Sequence, residues 1–254
     1  MTPLTVFITG ASSGIGAASA HAFARNRHRV VMCARRSDKL EAVAAQLRAE
    51  HAAIVHTVEL DVRDANAVER AVSSLPPEFA DVDVLINNAG LSRALDPAYA
   101  NEVRHIDDMV DTNVKGVLYV TRAIVPGMLE RGRGHVINIG SISGREVYRG
   151  GTVYCATKHA VLAITRGLKM DLHGTPIRVS TIDPGLTETD FSLVRFEGDA
   201  ARAEKAYVGT QPLRPDDVAE AILWVATRPP HVDVTELVLM PTVQSSVSMV
   251  ARDS

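Results

Sequence analysis

The short apolar run Val6-Phe7-Ile8-Thr9 leads into Gly10-Ala11-Ser12-Ser13-Gly14-Ile15-Gly16 and then into Ala17-Ala18-Ser19-Ala20-His21-Ala22-Phe23-Ala24. The β-branched run reads as a strand and the alanine-rich one as a helix. A strand that turns through three glycines into a helix is the context a nucleotide-binding loop requires. Gly10 permits the tight turn, Gly14 lets backbone approach a pyrophosphate, and Gly16 allows close helix–strand packing. The helix N-terminus then attracts the phosphates. Ser12, Ser13 and Ile15 fill the loop between the glycines. A glycine turn can also be an ordinary strand–helix connection, so the rest of the chain must decide.

Strand and helix signals alternate to the end of the chain, with no linker, internal repeat or low-complexity tract. Strands are expected near 4–9, 29–34, 54–59, 82–86, 134–139, 177–182 and 236–240. Helices are expected near 14–26, 37–50, 64–74, 101–130, 153–172 and 215–227. This alternation predicts an α/β fold, a parallel sheet with helices on both faces. Val84-Leu85-Ile86 and Val136-Ile137-Asn138-Ile139 are apolar almost throughout, as strands buried on both faces should be. Right-handed crossovers make the sheet doubly wound, with a ligand at the C-terminal ends of the strands. Residues 1–254 form one domain on this reading, within the size a single core can support. Pro126-Gly127, inside the long helical pattern, predicts a kink or an end.

Composition narrows the class. A formal charge of -3 and scattered basic residues leave no footprint for nucleic acid. Arg25, Arg27 and Arg29 read as a solvated face. No apolar run approaches a membrane span, and the first residues lack a signal-peptide pattern. Cys33 and Cys155 have neither disulfide nor metal spacing. The expectation is a cytoplasmic, reduced protein without a metal site, a membrane partner or a nucleic-acid partner.

Two further features carry chemistry. Tyr154 and Lys158 stand four residues apart, so on a helix they share a face. A buried ammonium beside a phenol favours the phenolate, and such a group exchanges a proton with an alcohol or a carbonyl. The spacing alone equally suits a surface pair. Arg35-Arg36 follow the second strand, where a site preferring NAD would place an acid for the ribose 2′-hydroxyl. Guanidinium groups there suit a 2′-phosphate, and as plain helix-start residues they would oppose the helix dipole. NADP(H) is the cofactor expected.

Thr9-Gly10-x-x-x-Gly14-Ile15-Gly16, Asn87-Asn88-Ala89-Gly90, Asn113, Ser141, Tyr154-x-x-x-Lys158 and Pro184-Gly185 stand in the order seen in short-chain dehydrogenase/reductases. The chain resembles that family over essentially its whole length. The resemblance implies seven strands in the order 3-2-1-4-5-6-7 and a homotetramer. It implies a catalytic set of Asn113, Ser141, Tyr154 and Lys158. Tyr154 would be the proton donor and Ser141 would hold the carbonyl oxygen. Lys158 would lower the Tyr154 pKa and hold the nicotinamide ribose, with Asn113 supporting a water relay. Helix-interior bonding to nearby backbone is the other reading of Asn113. The resemblance further places Asp61 and the Val62 backbone at the adenine, although Asp61 would serve equally as a helix N-cap ahead of Ala65. Asn88, Ala89 and Gly90 would flank the cofactor. Pro184, Gly185, Thr187 and Thr189 would turn the nicotinamide face, with Thr187 where the family often has Val.

The segments Leu172–Val179, Phe191–Asp199 and Ala203–Tyr207, and the tail around Met240–Ser245, resemble the NADP-dependent 3-hydroxy acid dehydrogenases and their sulfoacetaldehyde-reducing neighbours. Residues 186–213 would form the substrate loop. The substrates of both subgroups carry an anion, and a buried anion needs a partner. Arg195 is the candidate, with Tyr148 as a second donor. Arg145 is a rival clamp unless Glu146 neutralises it. The function expected is NADP(H)-dependent hydride transfer between a small anionic 3-hydroxy acid, or hydroxysulfonate, and its semialdehyde or ketone. Reduction of larger neutral aldehydes or ketones is one alternative, and a nucleotide-sensing protein without turnover is the other.

Overall fold

In the computed structural model, residues 3–253 are described. Seven strands form one sheet: β1 (Thr5–Thr9), β2 (Arg29–Ala34), β3 (Val55–Glu59), β4 (Val84–Asn87), β5 (Gly134–Ile139), β6 (Ile177–Pro184) and β7 (Glu236–Leu239). All pairings are parallel, in the order β3-β2-β1-β4-β5-β6-β7. The chain reverses direction across the sheet beside β1, the position where doubly wound sheets bind ligands.

Alternation within the strands feeds two cores. Val6, Ile8, Val30, Met32, Val84 and Ile86 pack on one face. They meet α1 (Gly14–Arg25), α2 (Ser37–His51) and the late helix at Pro215–Ala226 through Phe23, Leu40, Leu47, Val218 and Ile222. Phe7, Val31, Cys33, Leu85 and Val136 point the other way. There they meet α3 (Ala65–Ser73) and the helix Val117–Arg131 through Val68, Val120 and Ile124. Central strands buried on both faces explain why their sequences are apolar without a break.

Several places depart from the sequence reading. Asp64, not Asp61, caps α3, accepting from the Ala67 N–H, which removes the N-cap reading of Asp61. A one-turn helix, α4 (Pro77–Ala80), precedes β4. The helix expected over 101–130 is instead α5 (Val103–Val110), a π-turn at Asp111–Gly116 and α6 (Val117–Arg131). The irregularity lies at the π-turn, and α6 continues past Pro126 and Gly127 to an αL residue, Gly132. A Cβ on Gly116 would lie 2.7 Å from Val62, so only glycine lets this turn approach the end of β3.

After α7 (Thr152–Asp171) and β6, residues 186–213 leave the sheet and return. Leu213 N–H donates to Leu186 and its carbonyl accepts from Glu188, stitching the segment at its base. It carries α8 (Phe191–Arg195) and α9 (Ala200–Lys205), two short helices absent from the periodicity reading, before α10 (Pro215–Ala226). Among the described residues no helix is long and apolar enough to cross a membrane.

Candidate active site

A cavity of about 730 Å³ opens at the C-terminal ends of the strands, between β1 and β4–β6, under the 186–213 segment. Every residue expected at the site lines it except Gly16 and Asn113, which stand behind the wall.

At one end, Gly10 and Gly14 take φ of 67° and 55°, a conformation only glycine adopts freely. Cβ atoms on Gly10 and Gly16 would strike Ala89 Cα at 2.9 Å and the Gly10 carbonyl at 2.4 Å. Asn88 lines the cavity, but its side-chain amide is spent on the glycine loop. Its amide donates to the carbonyls of Thr9, at 2.9 Å, and Gly10, at 3.2 Å, holding the loop in shape. Thr9 Oγ1 accepts from the N–H groups of Asn88 and Ala89. Ser13 occupies the N-cap of α1 without a side-chain cap bond, and no acidic residue stands in the first turn. The first amides of α1 therefore face the cavity with no anion of their own.

Arg36 Nη2 donates to Ser13 Oγ at 3.2 Å and Ser12 Oγ at 3.4 Å, bringing its charge onto the glycine loop. Arg35 lines the same end. Neither arginine forms an ion pair among the described residues. Unpaired guanidinia beside open helix amides fit a phosphorylated nucleotide. Asp61 is held by Arg63 through Nε at 3.0 Å and Nη2 at 2.6 Å. Burial opposes the charge, but the Arg63 bonds, with Arg35 beyond, hold the Asp61 carboxyl below the usual range.

At the other end, α7 carries Tyr154 and Lys158 on one buried face, and Ser141 stands just after β5. Lys158 Nζ donates to the Ile139 carbonyl at 2.8 Å and sits 5.9 Å from the centre of the Tyr154 ring. Burial pulls the Lys158 ammonium down to about 8, with the Asp183 charge opposing. The expected depression of Tyr154 is absent from the protein taken alone. Burial pushes the phenol well up, and the Arg195 charge and the Ser141 hydroxyl offset only part of that. Desolvation of a phenolate outweighs a cation bonded elsewhere.

Asn113 sits in the π-turn, with its side chain buried. Its amide donates to Leu91 O at 2.8 Å and Thr157 Oγ1 at 3.0 Å, and its Oδ1 accepts from Leu91 N–H at 2.9 Å. It makes no direct bond to Lys158 among the described residues. A Cβ on Gly90 would lie 3.3 Å from Asn113 Oδ1 and 3.7 Å from Lys158 Nζ, so glycine keeps the path between them open.

Arg195, at the end of α8, donates to the Tyr148 hydroxyl at 3.2 Å. Its guanidinium lies 5.6 Å from the Tyr154 ring centre and 5.0 Å from that of Phe191. Its Nε is buried without a hydrogen-bond partner, and no carboxylate pairs with it among the described residues. Arg145 behaves differently and is not part of the cavity wall. It pairs with Asp183 and Glu236, at 2.6 Å each, so it is no anion clamp. Its charge is cancelled by those two acids, while Glu146 accepts from Val247 N–H and pins the tail.

Pro184 ends β6, and Gly185 gives room to Gln244, whose Oε1 accepts from Leu186 N–H at 2.7 Å. Thr187 Oγ1 donates to the Gly185 carbonyl at 3.1 Å. Thr189 lies over Gly14, 3.3 Å from where a Cβ would be, so the loop closes over the nucleotide end. Arg93, Gln244 and Tyr207 were not among the expected site residues. Arg93 and Gln244 reach the loop from distant parts of the chain, and Tyr207 folds back within it onto the Thr187 carbonyl and the Ser192 hydroxyl, contacts that no spacing reveals. His21, Glu50 and His51 bring possible ligand atoms within 4.8 Å of one another on α1 and α2, but none lines the cavity.

The Lys158 environment has a measurable consequence. Its ammonium is favoured less in the folded chain, about 8, than when free, 10.5. Between those values the unfolded state binds more protons, so stability rises with pH. The lowering is worth on the order of 3 kcal/mol. Below about pH 8 both states are protonated and the whole penalty stands. In denaturant titrations from pH 7 to 10.5, wild type should gain stability relative to Lys158→Met. Parallel pH profiles would contradict the buried-ammonium assignment.

A family profile described as short chain dehydrogenase matches residues 4–199. An NADP-dependent 3-hydroxy acid dehydrogenase of Salmonella typhi is 47% identical over 243 residues, covering 95% of this chain and 96% of that protein. A serine 3-dehydrogenase of Rhizobium radiobacter is 41% identical over 95% of each. A closed form of serine dehydrogenase complexed with NADP+ superposes with a TM-score of 0.91 at 43% identity, covering 98% of this chain and 99% of that one. The chain belongs to the short chain dehydrogenase family.

Proposed function

We propose that this chain is an NADP(H)-dependent oxidoreductase that interconverts a small anionic 3-hydroxy acid, or hydroxysulfonate, and its semialdehyde or ketone. The observation that carries the anionic substrate is Arg195, an unpaired cation over the Tyr154 ring. An uncompensated guanidinium in a cavity wall is costly unless an anion arrives to meet it. The names of the relatives, which include a 3-hydroxy acid dehydrogenase and a serine 3-dehydrogenase, support the same class.

NADPH, when bound, supplies the hydride. The α1 amides and the Arg35 and Arg36 guanidinia would hold its phosphates, Asp61 and Val62 would flank the adenine, and Thr187 and Thr189 would help to enclose it. Arg195 and Tyr148 fix the substrate's anion, and Ser141 holds its carbonyl oxygen. Tyr154 gives that oxygen a proton. Its raised pKa keeps the phenol protonated at neutral pH, the form reduction needs. Lys158, able to gain or lose its own proton near pH 8, resupplies Tyr154. Gly90 leaves room for proton exchange with the region of Asn113.

The test is a set of initial rates in both directions. Serine and 3-hydroxypropionate should be oxidised with NADP+, and malonic semialdehyde and sulfoacetaldehyde reduced with NADPH. Faster turnover of a large neutral ketone than of any acid would favour the neutral-carbonyl reading. Turnover of nothing, with tight NADPH binding, would favour a sensor.

NADPH should be preferred over NADH, and Arg35→Asp should reverse the preference by setting a carboxylate against the 2′-phosphate. A lost charge-assisted contact alone is worth roughly 10- to 150-fold in kcat/KM. Equal efficiency of wild type with both cofactors would refute the 2′-phosphate assignment. We also expect a homotetramer. β7 is an edge strand with Val238 exposed, the kind of surface that proteins cover. A monomer mass by light scattering would contradict it.

A further inference from the structure

The loop that carries Arg195 is held from beneath by a second arginine. Arg93 follows β4, and its Nη1 donates to the Val194 carbonyl at 2.8 Å. The next residue, Ala94, takes φ of 50°, uncommon for a residue with a side chain, and its N–H donates to the Arg195 carbonyl at 3.0 Å. Both acceptors are carbonyls of the last two residues of α8, where the helix leaves such groups open to outside donors; Val194 O also accepts from Glu197 N–H at 3.3 Å. A cation there also complements the helix dipole.

Arg93 is itself fixed. Its Nε donates to Asp108 Oδ2 at 3.1 Å, and its side chain is only 17% exposed. Asp108 Oδ1 accepts from Arg63 Nη1 at 2.9 Å. Arg63 chelates Asp61 at the nucleotide end. Asp61, Arg63, Asp108 and Arg93 therefore form a line of alternating charges from the nucleotide end of the cavity to the substrate loop. Each charge is matched by its neighbours, so Arg93 has none to spare for a substrate anion. Arg195 has.

We infer that Arg93, locked by Asp108, is a positioning residue that sets Arg195 against the substrate's anion. It touches the α8 backbone and not the substrate, and it acts only through Arg195. This rests on the proposed reading of Arg195 as the anion clamp. A rigid support matters because a charge-assisted contact weakens steeply as its geometry loosens.

The test is a double-mutant cycle read on a matched pair, 3-oxopropanoate and its neutral methyl ester, at saturating NADPH. Arg93→Gln should lower the acid-over-ester ratio of kcat/KM by about tenfold, the lower range for a lost charge-assisted contact. The loss should lie mainly in KM for the acid. Arg93→Lys should restore part of it, since a single ammonium reaches one partner but lacks the fork. In an Arg195→Ala background, Arg93→Gln should leave the ratio unchanged, because residues acting as one unit do not add. Asp108→Asn should reproduce the Arg93→Gln loss, so the test stands even if Arg93→Gln fails to fold. Equal losses for acid and ester, or effects that multiply in the double mutant, would overturn the inference. If Arg195→Ala leaves the ratio unmoved, the anion reading itself falls. If Arg195→Ala moves it and neither Arg93→Gln nor Asp108→Asn does, only the positioning role falls.

Discussion

Tyr154→Phe lowers kcat by about 10²- to 10⁴-fold, the contribution of a positioned general acid. The change removes one oxygen and leaves the ring, which stays packed 5.5 Å from Phe191 and under Arg195. The fold, the loop position and NADPH affinity should therefore survive. Only the proton donor is lost, so the effect belongs in kcat rather than in binding. Steady-state turnover with NADPH and an acidic semialdehyde, beside NADPH binding by fluorescence, separates the two. Residual activity above a tenth of wild type would remove Tyr154 from the proton-donor role. A collapse of NADPH binding would show the phenol to be a binding group first.

Arg195→Ala should weaken acidic substrates about 10- to 150-fold in kcat/KM, the worth of a charge-assisted hydrogen bond. Neutral aldehydes should lose much less. The contact is made in the ground state as well as in the transition state, so KM should carry most of the change. Arg195→Lys should recover a part, because an ammonium has no planar fork. The variant also removes a cation that favours the Tyr154 phenolate, so any pH-dependent limb belonging to that phenol should move upward. If acidic and neutral substrates fall together on this variant, Arg195 shapes the loop and does not read charge.

The sheet was legible because its code is local and repeated. Strands such as Val84-Leu85-Ile86 announce burial on both faces, and the Gly10–Gly16 turn marks the passage from β1 into α1. The strand order came from the resemblance, not from periodicity, because pairing between distant strands leaves no local mark. The break in the 101–130 helix was not legible for a related reason. At the π-turn Gly116 packs so close to Val62, distant in sequence, that a Cβ would not fit. Pro126 drew attention to the wrong place, since α6 runs through it.

Within the site, residues with one fixed chemistry were readable and residues defined by their partners were not. Tyr154, Lys158 and Ser141 all line the same cavity. Arg145 and Arg195 look alike as letters. Only the fold shows that Asp183 and Glu236 consume the first and that, among the described residues, no carboxylate meets the second. Asp61 was divided between a cap and a binding residue until Asp64 took the cap. The pKa of Tyr154 went against expectation because burial of the phenol is a tertiary effect, whereas the i to i+4 cation is a local one.

On the proposed reading the site passes a hydride between NADP(H) and a small carbonyl compound chosen for its negative charge. The most direct measurement is kcat/KM for 3-oxopropanoate against its methyl ester, at saturating NADPH and with wild-type enzyme. The two differ chiefly in the charge that Arg195 would meet. The acid should be preferred by about 10-fold or more, the scale of one charge-assisted contact. An ester reduced as efficiently as the acid, or better, would contradict it.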